Sequence, residues 1–82
     1  MTDEIRRVLK AHARLRVDVD ELSEDADLFQ AGMTSHASIN VMLALEDAFD
    51  VEFPDRLLSR SVFTSIGSIR AALDAIAVED VA

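Results

Sequence analysis

The chain has no cysteine, tryptophan or tyrosine, and only one proline (Pro54) and two glycines (Gly32 and Gly67) among 82 residues. Without cysteine there is no disulfide, no thiolate nucleophile and no thiolate-ligated metal. Long apolar runs are also missing. The longest is five residues, Val41 to Leu45, far short of the roughly 20 needed to span a bilayer as a helix. Acids at Asp3 and Glu4 stand where a secretory signal carries bases, so a cytosolic protein is expected. Positive charge is absent from a long stretch. Residues 17–55 carry eleven acids and no Lys or Arg, whereas residues 1–16 carry five bases against two acids and residues 56–82 carry three of each. A polyanionic middle and a net charge of −8 exclude a nucleic-acid binder, which needs a basic footprint, and disfavour an anionic membrane face.

What is present is helical. Ala, Leu, Asp and Glu abound, and no alternating run marks a strand. The chain is too short for a second core, so residues 1–82 are expected to form one all-α domain. A first helix is expected from Thr2, read as its N-cap, with Ile5, Val8, Leu9, His12 and Leu15 on one stripe. Residues 17 to about 34 then read as a long loop anchored by Val17, Val19, Leu22, Leu28 and Phe29. Loops of that length in small domains are commonly functional. A second helix is expected from Ser35, read as its cap, with Val41, Met42, Leu45 and Phe49 inward and Ala37, Asn40, Leu43 or Ala44, and Asp47 outward. Phe53 precedes Pro54 and so lies beyond it. A short irregular or helical piece over 55–63 is anchored by Leu57, Leu58 and Val62. Thr64 is read as the cap of a last helix with Ile66, Ile69, Leu73 and Ile76 inward, and residues 77–82 are expected to fray. The architecture is a small four-helix bundle, three main helices and one short, with a long first loop.

Few residues offer chemistry. Asp18 and Asp20 begin with the spacing of a calcium-binding EF-hand loop, but Leu22, Ser23 and Phe29 occupy positions that need oxygen ligands or glycine, so no metal is expected. Ser35 and His36 are neighbours, and adjacent helical residues point about 100° apart. They make no hydrogen-bonded dyad, and no acid follows to orient the imidazole, so no enzyme is expected. Ser35 instead places a hydroxyl at a helix N-terminus, where free amides and the helix dipole favour a phosphate. Gly32, three residues earlier, allows the loop to turn sharply there. On these grounds Ser35 is either a phosphate-bearing site or simply a cap.

The stretch Asp27-Leu28-Phe29-Gln30-Ala31-Gly32-Met33-Thr34-Ser35, followed by Leu45-Glu46-Asp47-Ala48-Phe49 and Phe53-Pro54-Asp55, resembles the carrier proteins of acyl and peptidyl transfer. Their usual pattern is D-L-x-x-x-G-x-D-S-L, then L-E-x-x-F, then a hydrophobic residue, proline and aspartate. Thr64-Ser65-Ile66 resembles the opening of their last helix. The resemblance implies a four-helix bundle in which Ser35 receives 4′-phosphopantetheine from coenzyme A through a phosphodiester, installed by a separate phosphopantetheinyl transferase. The thiol of that arm then holds an acyl or aminoacyl group as a thioester, loaded by a ligase and passed to an acceptor enzyme. It also implies a partner-docking surface on the second helix and around the serine: Met33, Thr34, His36, Ala37, Asn40, Leu43 and Asp47. Two departures stand out: Thr34 replaces the usual aspartate before the serine, and His36 the usual leucine after it. With Ala37 and Asn40 also uncharged, the docking face is neutral near Ser35, and its acids come later, at Glu46, Asp47 and Asp50. The pattern is more like a stand-alone aminoacyl carrier, charged by a seryl-tRNA-synthetase-like ligase, than a housekeeping fatty-acid carrier. A monomer is expected. The alternative reading is an unmodified acidic helical module that binds a basic partner.

Overall fold

Three amphipathic segments find one shared core. In this computed structural model, which describes residues 1–81 with side chains through Ala77, they form α1 (Thr2–His12), α2 (Ser35–Phe49) and α3 (Ile66–Val81). No strand occurs among the described residues. Ile5, Val8 and Leu9 of α1, Val41 and Leu45 of α2, and Ile66, Ile69, Leu73 and Ile76 of α3 are buried together. They are the inward stripes expected from spacings of three and four, with His12 exposed at the end of α1 and Leu15 half-buried beyond it. Met42 and Phe49 flank the core rather than filling it. α1 packs against both other helices.

The expected short helix is only a three-residue 3-10 turn, Asp55–Leu57, inside an otherwise irregular 50–65 connection. Its anchors Leu57 and Val62 pack on the core, whereas Leu58 is exposed. Phe53 and Phe63 close this side of the core with ring centroids 5.5 Å apart. A second 3-10 turn, Val19–Glu21, interrupts the long first loop. Val19 and Leu28 are buried there, but Val17 is exposed. The fraying expected over 77–82 does not appear through residue 81, since α3 continues to Val81; residue 82 lies outside the described residues.

The basic helix and the acidic loop, separate in sequence, meet in space. Arg6 donates to the Val19 carbonyl at 2.6 Å, and Lys10 pairs with Asp20 at 2.5 Å. That hydrogen bond to Asp20 holds the Lys10 ammonium above its ordinary pKa. Arg6 and Lys10 of α1 therefore pin the loop, whereas Arg7 pairs with Glu4 within the helix.

All three expected helix caps are corrected by one residue. Thr2 is the first residue of α1, and Met1 caps it without a side-chain bond. The Met1 carbonyl can already accept from Ile5 N–H at 3.1 Å, so the helix begins a residue earlier. Thr34, not Ser35, caps α2. Ser65, not Thr64, caps α3: its hydroxyl accepts from Ser68 N–H at 3.1 Å, and its carbonyl accepts from Ile69 N–H at 3.1 Å. Thr64 is occupied elsewhere, donating to the Arg60 carbonyl and accepting from Leu28 N–H.

Candidate functional site

The segment before α2 is built by side chains that satisfy its own backbone. Asp27 Oδ1 accepts from Phe29 and Gln30 N–H at 2.9 and 3.1 Å, closing a turn of the kind Asp favours. Leu28 is fully buried and its N–H donates to the Thr64 carbonyl at 2.7 Å, so the turn is anchored to the entry of α3. Gly32 has φ +122°, a backbone region that L side chains rarely adopt, and a Cβ there would stand 3.2 Å from Arg16 N and 3.1 Å from Arg16 Cγ. Arg16 N–H in turn donates to the Ala31 carbonyl, tying the turn to the segment that follows α1. Met33 then points into the core, only 3% exposed. With Met33 fixed inward, Thr34 and Ser35 emerge at the surface.

Thr34 takes the N-cap in extended conformation, φ −88° and ψ 166°. Its Oγ1 accepts from Ala37 N–H at 3.0 Å and its carbonyl from Ser38 N–H at 2.9 Å. Thr34 thereby does the capping that Asp would do at this position, without the charge. Ser35, the first helical residue, is exposed, and nothing among the described residues bonds its hydroxyl. The Ser35 and His36 amides likewise have no acceptor among the described residues. An unbonded hydroxyl thus stands beside two open donors at the positive end of a 15-residue helix.

A trough of about 240 Å³ opens beside this hydroxyl. Ser35, Ser38, Ile39 and Met42 form the α2 wall; Leu58, Ser59, Arg60 and Phe63 from the connection before α3 form the other. The expected docking residues divide. Thr34, His36, Leu43 and Asp47 are exposed on the surface around α2, and Asn40 is half-buried. Ala37, expected outward, is 4% exposed and belongs to the core, as Met33 does. Burial of the small Ala37 side chain goes with the register in which Thr34 is the cap, its Oγ1 accepting from Ala37 N–H. Glu46, expected among the docking acids, instead turns back to accept from Phe53 N–H at 2.8 Å, fixing the exit from α2.

Sequence reasoning missed Ile39, which is 53% exposed, as is Leu43. Its position four residues after Ser35 was the available signal, since residues at i and i+4 share a face. It also missed Arg60, whose guanidinium carbon lies 3.9 Å from the centroid of the Phe29 ring. Nothing local joins positions 29 and 60; only the folded chain does.

Comparison with known proteins agrees with this geometry. The family described as "Phosphopantetheine attachment site" matches residues 3–76. The aminoacyl carrier protein of Agrobacterium fabrum (strain C58) is 46% identical over 69 residues, 84% of this chain and 83% of that protein. A chain in the crystal structure of an engineered Bradyrhizobium japonicum glycine:carrier protein ligase, complexed with carrier protein from Agrobacterium tumefaciens and AMP, superposes with a TM-score of 0.88 at 43% identity, over 90% of this chain and 99% of that one. The solution structure of ATC2521 from Agrobacterium tumefaciens is 41% identical over the whole of both chains, with a TM-score of 0.77. From the turn at Asp27 to the open serine of α2, and over nine-tenths of its length in sequence, this chain belongs to the phosphopantetheine-attachment family of carrier proteins.

Proposed function

We propose that the chain is an aminoacyl carrier in which Ser35 bears the 4′-phosphopantetheine arm, and that it works as a monomer in the cytosol. The observation that carries the reading is the Ser35 hydroxyl, left unbonded at the first position of α2 while Thr34 does the capping. The residues present fit the group. The hydroxyl is exposed, two free amides and the helix dipole favour the phosphodiester charge, and an apolar trough begins at the same side chain. When bound, the arm supplies the thiol that this cysteine-free chain lacks, and so the thioester.

The chain's own part is limited and physical. The Ser35 oxygen forms the bond to phosphorus as the phosphoanhydride of coenzyme A breaks and adenosine 3′,5′-bisphosphate leaves, and the hydroxyl proton passes to a base of a phosphopantetheinyl transferase. The helix end stabilises the resulting anion. Thr34, His36 and the exposed α2 face with Ile39, Leu43 and Asp47 meet partner enzymes: the transferase, an aminoacyl-activating ligase of seryl-tRNA-synthetase type, and a downstream acceptor. In this reading residues 55–63 serve as the bundle's fourth, short element and close one side of the trough. An amino-acid cargo is supported by the 46% identity to an aminoacyl carrier protein. It is also supported by size, since a trough of about 240 Å³ is below the roughly 300–1,000 Å³ of pockets that enclose a ligand.

Incubation with coenzyme A and a broad-range transferase should raise the intact mass by one phosphopantetheine group, mapped to Ser35. The product, given ATP, an aminoacyl-carrier ligase and a panel of amino acids, should gain one aminoacyl residue removable by hydroxylamine. An unchanged mass in the first step would refute the carrier reading. Loading by fatty acyl ligases and by no amino acid ligase would refute the cargo.

A further inference from the structure

The trough beside Ser35 has a single charged side chain among its described lining residues, Arg60. Its guanidinium lies over the face of Phe29 at 3.9 Å from the centroid. Stacking of this kind restrains a long side chain by cation–π attraction while leaving the N–H edge of the fork available. That edge is not spent within the described residues: Arg7, Lys10 and Arg70 make ion pairs with Glu4, Asp20 and Glu24, and Arg60 has no acid partner of its own. Among the described residues no acid lines the trough, and the α2 side that faces Arg60 belongs to residues 28–45, which contain none. The chain thus holds one oriented cation against a neutral wall that starts at the modified hydroxyl.

Helix amides at Ser35 and His36 favour any anion, but they lie on one side of it. A guanidinium fork on the facing wall supplies a second, directional contact, since its planar pair of N–H groups matches two oxygens of a phosphate. We infer that Arg60, held flat on Phe29, is a positioning residue for the phosphodiester borne by Ser35, pairing with its non-bridging oxygens and so fixing the side from which the arm leaves α2. This rests on the carrier reading. It assigns the 55–63 connection a role in orienting the arm, and it explains why a strongly acidic protein keeps a base there.

The test separates the two ideas. Intact mass reports modification, while the Arg60 Nε–Hε cross-peak and the phosphorus resonance report the contact. On conversion of the wild-type protein the Arg60 cross-peak should move, and it should return toward its unmodified position in 1 M salt, where screening acts over about 3 Å. Arg60→Gln should convert fully yet shift the phosphorus resonance to that of a phosphopantetheinylated peptide, with Arg60→Lys restoring part of the difference. Ser35→Ala treated in the same way should leave the Arg60 cross-peak unmoved. Full conversion with an unmoved Arg60 cross-peak, or identical phosphorus resonances in wild type and Arg60→Gln, would overturn the positioning role and leave the carrier intact. No conversion at all would overturn both.

Discussion

The two later helices open with the same spelling and use it in opposite ways. α2 begins Thr34-Ser35-His36-Ala37-Ser38, and α3 is entered through Thr64-Ser65-Ile66-Gly67-Ser68. At α3 the serines are consumed by the backbone. Ser65 Oγ accepts from Ser68 N–H at 3.1 Å, Ser68 Oγ accepts from Ser65 N–H at 3.0 Å, and Ser68 Oγ also donates to the Val62 carbonyl at 2.7 Å. This is the reciprocal logic of a capping box. At α2 the threonine caps, Ser38 Oγ donates to the Ser35 carbonyl at 2.6 Å, and the Ser35 hydroxyl has nothing to do. What separates the two is the preceding threonine. Thr64 is held by the Arg60 carbonyl and by Leu28 N–H, so the cap passes to the serine; Thr34 has no such ties among the described residues and takes the cap itself. A serine at a helix start is available for modification when its neighbour has already closed the helix.

The sharpest way to break this comparison is to delete each serine. Ser35→Ala should abolish phosphopantetheine attachment, read by intact mass, while changing stability by no more than about 0.5 kcal/mol, as for an exposed side chain with no partner. Ser65→Ala should do the reverse: full attachment, with stability reduced by roughly 1–2 kcal/mol for a lost N-cap. Retained attachment in Ser35→Ala would place the arm on another residue and end the assignment of Ser35. Unaltered urea midpoints in Ser65→Ala would show that its hydrogen bonds are replaced by water without loss.

A smaller effect tests the other cap. Thr34→Ala should reduce stability by about 1 kcal/mol and, by leaving the Ala37 amide without its acceptor, lower the rate of attachment while still permitting it. Thr34→Asp restores the acceptor and adds a negative charge beside the helix end, so stability should return to at least the wild-type level. A stability unchanged by Thr34→Ala would mean that Ser35 can take over the cap, and the attachment rate should then fall sharply because its hydroxyl would be engaged.

Much of this was legible beforehand. The inward stripes of α1, α2 and α3 followed from spacing alone, because apolar residues at three- and four-residue intervals have one place to go. The role of Asp27-Leu28 and Gly32 in presenting Ser35 was carried by the motif, and the structure adds the reasons: a capped turn, a buried plug and a positive φ. What was not legible depended on contacts across the chain. Thr34 and Ser35 are both good caps, and only the burial of Met33 and Ala37 sets the register between them. Glu46 reads as a surface acid until Phe53 N–H is seen against it, and Arg60 reads as solvated until Phe29 lies beneath it.

The smallest predicted effect lies at the position where the two openings differ in backbone freedom, Gly67 against Ala37. Glycine inside a helix is worse than alanine by about 1 kcal/mol, so Gly67→Ala, which makes the openings more alike, would be stabilising if space allowed. Space does not allow it. A Cβ at Gly67 would lie 3.3 Å from the Glu24 carbonyl oxygen, which already accepts from Gly67 N–H at 2.9 Å. That carbonyl is not free to retreat, because the Glu24 side chain is paired with Arg70 one turn along α3. Gly67→Ala should therefore forfeit the propensity gain and end slightly less stable than wild type, by less than about 1 kcal/mol, seen as a lower urea midpoint at unchanged slope. Glu24→Ala, by releasing the carbonyl's tether, should make the same substitution at Gly67 less harmful, so the two changes should be non-additive. A full gain from Gly67→Ala alone would show that the start of α3 has room to adjust. The close fit between the acidic loop and α3 would then not be what distinguishes it from the open start of α2.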